Sequence, residues 1–205
     1  MNFQFPKILR PFLGRGLIWR KKSLSSKVVY LTFDDGPVPE VTPLVLDILD
    51  EYGIKATFFC VGENVMKYPD IYNDILARGH KTGNHTFNHL KGFWTKNDEY
   101  VENVQKASEY IQSNLFRPPH GQLKGKQRKQ LQNDYKIVMW DIITHDYNRS
   151  LQPETVFNNV RKRVRNGSII VFHDSMKAKN NMLTALPRTI EYLNSQGFKY
   201  EVLIP

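Results

Sequence analysis

Asp34 and Asp35 stand side by side where a short β-branched run, Lys27-Val28-Val29-Tyr30, continued by Leu31-Thr32-Phe33, gives way to Gly36-Pro37. A strand gains nothing from ending in two adjacent carboxylates, which repel each other. Metal-assisted hydrolysis does gain: one carboxylate can hold an ion while the other stays free as a base. Read alone, the same residues also suit an ordinary turn, because Asp and Gly are common turn formers. Four more polar clusters follow along the chain. In Gly83-Asn84-His85-Thr86-Phe87-Asn88-His89, two of the six histidines lie at i, i+4, a spacing that lets both face one ion. A lone histidine would more often be a hydrogen-bonded structural residue. With Asp35 the pair makes a two-His, one-carboxylate set that leaves positions open for water and substrate. In Phe116-Arg117-Pro118-Pro119-His120-Gly121, the prolines stiffen a loop that either carries a surface arginine or fixes Arg117 as a cation beside the acidic pair, with an exposed backbone N–H as an anion donor. Trp140 to Tyr147 brings two aromatics that fit a groove wall for a sugar ring or the core equally well. The apolar run Ile169-Ile170-Val171-Phe172 ends abruptly in His173-Asp174, which reads as a strand-end histidine capped by its neighbour or as a general acid.

These clusters need elements to hold them. Strands are expected over Val28–Phe33, Ala56–Val61, Lys81–Asn84, Leu115–Arg117, Lys136–Trp140, Ser168–Phe172 and Tyr200–Ile204. Helices are expected over Val41–Glu51, Tyr68–Arg78, Lys96–Ser113, Lys124–Asn133, Pro153–Arg165 and Met182–Gln196, with Gly53, Gly79 and Gly197 as stops. Seven strands alternating with six helices predict a parallel α/β fold. All five polar clusters then fall at strand C-termini, the edge where such folds build active sites. At 205 residues the chain is short for an eight-fold barrel, which favours a seven-stranded, incomplete TIM-like barrel over a doubly wound open sheet. No glycine-rich phosphate loop follows the first strand.

The net charge is +9, from 29 basic and 20 acidic residues, and the composition is that of a globular domain with 40% hydrophobic residues. The basic clusters at 124–129 and 161–165 read as solvated surface, and no recognition motif accompanies them, so no nucleic-acid partner is expected. The single cysteine, Cys60, lies in an apolar run and is expected to be a buried, inert thiol. Residues 1–26 are read as an N-terminal arm packed on the domain and 27–205 as one domain. The arm is rich in Phe, Leu and Ile but is interrupted by Lys7, Arg10, Arg15, Pro6 and Pro11. It has no uninterrupted apolar core and no small-residue cleavage site, so a cytoplasmic monomer is expected, with peripheral membrane contact through the arm as the alternative.

Taken together, the motifs resemble those of the polysaccharide deacetylases of carbohydrate esterase family four, the NodB-homology domain. Thr32-Phe33-Asp34-Asp35-Gly36-Pro37, His85-Thr86-Phe87-Asn88-His89, Arg117-Pro118-Pro119-His120-Gly121, Trp140–Tyr147 and Val171-Phe172-His173 match its five motifs in order, over about Val28 to Ile204. The resemblance implies a distorted, incomplete (β/α)7 TIM-like barrel and metal-dependent removal of acetyl groups from N-acetylated sugars. It implies that Asp35, His85 and His89 hold one divalent ion, usually zinc, with cobalt, nickel or manganese as other occupants. Asp34 would be the base and His173 the acid, with Arg117 orienting Asp34 and Asp146 orienting and charge-tuning His173. The His120 N–H would bind the oxyanion, with Pro119 beside it, and Trp140 and Tyr147 would line the substrate groove. The chain departs from the family pattern at His120, where tyrosine is usual, at Ile143, where aspartate is frequent, and at Tyr147, where tryptophan is frequent. Two readings compete with a glycan deacetylase: hydrolysis of a small non-sugar amide on the same scaffold, and a non-catalytic glycan-binding module.

Overall fold

The structure, a computed structural model, describes residues 16–204. Its backbone of strands is entirely parallel. The main strands are β1 (Leu17–Ile18), β2 (Val28–Asp34), β3 (Thr57–Cys60), β4 (Lys81–Asn84), β5 (Leu115–Phe116), β6 (Lys136–Val138), β7 (Ile142–Ile143), β8 (Ser168–His173) and β9 (Lys199–Tyr200). They run in the order β1-β6-β5-β4-β3-β2-β8-β7, with β9 beside the first residues of β2. Helices α1 (Thr42–Glu51), α2 (Gly62–Lys67), α3 (Pro69–Ala77), α4 (Asn97–Ser108), α5 (Gly125–Leu131), α6 (Pro153–Arg161) and α7 (Lys179–Ser195) connect them. Short parallel strands separated by helices cannot lie flat, because each strand twists relative to the last. Here the sheet curls until one extended stretch, 136–143, pairs with β5 at its start and with β8 at its end. The result is the expected distorted, incomplete (β/α)7 barrel.

Alternation along β2 sorts its side chains onto two faces. Val29, Leu31 and Phe33 join the apolar layer between the strands and helices α1 and α7. Val28 and Tyr30 join the barrel interior with Phe59, Leu115, Val138 and Trp140. Thr32 and Asp34 continue that inward row, so the period of the strand aims Asp34 at the mouth. Cys60 is fully buried, and burial pushes its thiol well up, as an inert residue requires.

Several element expectations change. The stretch expected as one strand over Lys136–Trp140 breaks after Val138, where the chain leaves β5 and crosses toward β8. Two strands, β1 and β7, and helix α2 were not expected from the sequence. The last strand is confined to Lys199–Tyr200, although the Leu203 N–H still reaches Thr57 Oγ1 at 3.0 Å. The C-terminal end of the arm expected over 1–26 packs on the sheet: Leu17–Ile18 pairs with β6, and Arg20 bridges to Ser168 of β8. Its residues 1–15 lie outside the described residues. The basic cluster at 161–165 is not all solvated, since Arg165 forms a two-pronged ion pair with the buried Asp141.

Candidate active site

Strand ends and the loops after them bring the five clusters to one mouth. Asp34 closes β2 and is in register with His173 at the end of β8. The chain then turns sharply. Among the described residues, five other than glycine have positive φ: Asp35 (87°), Thr86 (66°), His89 (60°), His120 (57°) and His145 (59°). All lie in the loops at this edge. L-residues avoid that region unless their surroundings hold them there, and here the surroundings do. Asn64 Nδ2 donates to Asp35 O (2.8 Å). Asn84 Oδ1 accepts the Thr86 N–H (2.8 Å), and Asn103 Oδ1 accepts the Phe87 N–H (2.9 Å). Asp174 Oδ1 accepts the Gly36 N–H (3.0 Å) while its Oδ2 accepts Thr42 Oγ1 (2.7 Å).

Asp35, His85 and His89 come together with their ligating atoms all within 4.8 Å of one another. His89 Nε2 is 3.2 Å and His85 Nε2 is 3.8 Å from Asp35 Oδ1. The two histidines converge through a loop of left-handed residues, not through a helical turn as their i, i+4 spacing first suggests. His85 Nδ1 lies 2.7 Å from Arg117 O. A carbonyl can only accept, so the proton sits on Nδ1 and the Nε2 lone pair faces Asp35. Burial pushes His85 down to about 4, leaving it neutral at physiological pH. Burial would raise Asp35, but the hydrogen bond from His89 and the facing charge of His173 hold it well below the usual carboxylate range. Two imidazoles, with His85 held in the ligating tautomer, and an ionised carboxylate are the donor set a divalent ion such as zinc requires, so the residues fit such an ion.

Beside this trio lies a buried ion pair. Arg117 is fully buried, and its Nη1 donates to Asp34 Oδ1 (2.6 Å) and Thr32 Oγ1 (2.8 Å). Nε reaches Val138 O (3.3 Å) and Nη2 reaches Met139 O (3.1 Å), and the guanidinium lies 4.0 Å over the Phe59 ring. All three nitrogens of the guanidinium are engaged, so Arg117 is a fixed cation that claims one oxygen of Asp34 and leaves the other open.

On the opposite strand end, Asp146 grips His173 twice: its Oδ2 accepts the His173 N–H (2.8 Å) and its Oδ1 faces Nδ1 (2.7 Å). Burial alone would lower His173, but the Asp146 charge and hydrogen bond outweigh it and raise the imidazole to about 9. Asp174, the other acid beside His173 in sequence, spends both oxygens on the Gly36 and Thr42 contacts. The Tyr147 ring stands edge-on to His173 at 4.8 Å, and its hydroxyl bonds His145 Nδ1 (2.9 Å).

The remaining expected residues separate. His120 is exposed, and its ring meets that of His89 at 4.8 Å; Pro119 is buried in the turn that carries it. Trp140 is not a free groove wall. It is buried among Met139, Val138 and Leu115, and a Cβ on Gly121 would come within 2.7 Å of its ring. The ring therefore supports the 118–121 loop from below. Sequence reasoning missed the residues that hold backbone in place, Asn64, Asn84 and Asn103. Only Asn84 carried a signal, by directly preceding His85 at a strand end.

Known proteins resemble this chain in sequence and in fold. The family described as polysaccharide deacetylase matches residues 21–139. A peptidoglycan-N-acetylglucosamine deacetylase of Bacillus cereus is 34% identical over 183 residues, covering 85% of this chain and 66% of that protein. A second protein of the same name and organism is 31% identical over 185 residues, covering 86% of each chain. A crystal structure of a peptidoglycan N-acetylglucosamine deacetylase in complex with 4-naphthalen-1-yl-N-oxidanyl-benzamide superposes with a TM-score of 0.88 at 30% identity, over 97% of this chain and 95% of that one.

Proposed function

The chain belongs to the polysaccharide deacetylase family, and from that premise we propose that it hydrolyses the N-acetyl groups of N-acetylglucosamine-type sugars in a glycan or oligosaccharide, using one divalent ion, a carboxylate base and an imidazolium acid. The observation that carries the proposal is the convergence of three differently tuned groups at one mouth: the Asp35-His85-His89 trio, Asp34 paired to Arg117, and His173 paired to Asp146. An amide is a poor electrophile with a poor leaving group, and a hydrolase must answer both difficulties.

Asp35, His85 and His89 would hold the ion, with zinc our choice and cobalt, nickel or manganese as alternatives. When bound, such an ion polarises the acetyl carbonyl and makes water a better nucleophile near neutral pH. Asp34 would take the proton of the attacking water on the oxygen that Arg117 leaves open. The His120 N–H would face the oxygen that becomes negative as the carbonyl carbon turns tetrahedral. His173 would then give its proton to the sugar nitrogen, which leaves as an amine, and acetate remains. Mass spectrometry of N-acetylglucosamine oligomers and peptidoglycan fragments after incubation, beside a panel of small amides, tests this reading. Loss of acetyl from the sugars is expected; turnover of the small amides alone would replace it.

Two expected results follow here. Protein purified without chelator should carry about one equivalent of divalent ion, since the three ligands supply a single site. His89→Ala should lower that affinity sharply, and a His85→Ala/His89→Ala double variant should lose the ion altogether; full occupancy in the double variant by metal analysis would exclude this ligand set. The second concerns pH. An acid must be protonated to act, so activity should fall as pH rises through the His173 pKa, raised to about 9 by Asp146. A bound cation lowers the absolute position, so the informative quantity is the change between variants. Asp146→Asn removes the raising partner and should move the alkaline limb to lower pH, whereas Asp174→Asn should not move it. The reverse pattern would transfer the role to Asp174.

A further inference from the structure

Eight residues after β4, the chain makes a 3-10 turn, Gly92–Trp94, that leaves two large aromatic rings in solvent: Phe93 is 51% and Trp94 84% exposed. Burial of an aromatic ring removes a large apolar area from water, so two rings held outward in sequence give up that gain. Nor is the turn loose. Gln127 Nε2 donates to Gly92 O (3.0 Å), Lys124 Nζ donates to Thr95 O (2.8 Å), and Thr95 Oγ1 donates to Lys91 O (2.9 Å). Gly92 packs so closely that a Cβ there would lie 2.2 Å from Gln122 O. Gln122 follows the loop of His120 and Gly121 at the rim of the candidate site. The turn also begins three residues after His89. The aromatic pair is thus presented rigidly and is continuous with the loops that carry the ligand trio and the candidate oxyanion donor.

We propose that Phe93 and Trp94 form a platform on which a further sugar ring of the substrate glycan stacks, beyond the residue whose acetyl group is removed. This rests on the deacetylase reading and adds to it a preference for chains of several sugars. A pyranose has a flat C–H face that lies well on an aromatic ring, and a platform already fixed loses little entropy on binding. Exposed Lys91 and Lys96 bracket the pair, a combination of charge and aromatic surface that would also suit an anionic lipid surface. Continuity with the site favours the glycan, and the test separates the two.

The chain carries its own probe, because Trp19 and Trp140 are buried and Trp94 is not. Addition of the pentamer of N-acetylglucosamine should shift the tryptophan emission to the blue, and Trp94→Phe should abolish the shift. Trp94→Ala should lower the ratio of kcat/KM on the pentamer to kcat/KM on the dimer by roughly tenfold, the size of a ~1.4 kcal/mol contact. No shift with the pentamer, a shift that survives in Trp94→Phe, or an unchanged ratio would each overturn the platform. A shift with phosphatidylglycerol vesicles and none with the pentamer would assign the pair to a membrane surface instead. Failure of the native protein to deacetylate any oligomer would overturn the deacetylase reading, while the emission titration would still decide the platform.

Discussion

Asp34→Asn should reduce kcat/KM on an N-acetylglucosamine oligomer by about 10²–10⁴-fold, the usual cost of losing a general base. Asparagine keeps the shape and can still accept from Arg117, but it cannot take a proton. The ligand trio does not include Asp34, so metal content should stay near one equivalent. The comparison must be made on folded protein, because the substitution leaves the buried Arg117 guanidinium without its counter-charge. Circular dichroism and metal analysis of the same sample supply that control. Near-normal turnover in a folded, metal-loaded Asp34→Asn protein would remove Asp34 as the base.

The second large effect is on stability. Arg117→Met should destabilise the domain by about 3–5 kcal/mol, because it strands a buried carboxylate. Thr32 Oγ1 and the carbonyls of Val138 and Met139 also lose their donor. Arg117→Lys should not restore the loss, since one ammonium cannot reach acceptors spread around a planar fork. Removing both charges in Asp34→Asn/Arg117→Met should recover part of the deficit, and urea midpoints of the single and double variants measure the coupling. Equal midpoints for native and Arg117→Met protein would show that the pair contributes nothing.

The order of the site along the chain was legible because parallel α/β folds place their chemistry at strand C-termini, and β2 and β8 each announce that terminus with an abrupt change from apolar to ionisable residues. Asp34 and His173 were visible for that reason, and His85 by its spacing from His89 just past the polar β4. The pairing of Asp146 with His173 over Asp174 was implied by family resemblance, and the geometry gives it a cause: Asp174 faces Gly36 and Thr42. The elements that escaped are those with no period to read. Two-residue strands such as β1 and β7 cannot alternate, and the six-residue α2 starts at a glycine. Trp140 escaped differently, because an aromatic beside a polar loop looks the same in sequence whether it faces solvent or supports the loop from beneath.

Residues 17–20 carry a consequence for where this domain can be cut. The family match starts at residue 21 and the apolar strand pattern at Val28, which invites a boundary between them. Yet Leu17 and Ile18 pair with β6, Arg20 bridges to β8, and the Lys21 N–H bonds Gly167 O at 3.0 Å. This short segment caps one strand edge and reaches across to the next. A chain trimmed to residue 27 would present the unpaired backbone of Lys136–Val138 to solvent beside the apolar interior that Trp19 covers. Open edges of that kind recruit strands from other molecules. The trimmed protein would therefore be prone to self-association with every residue of the candidate site intact.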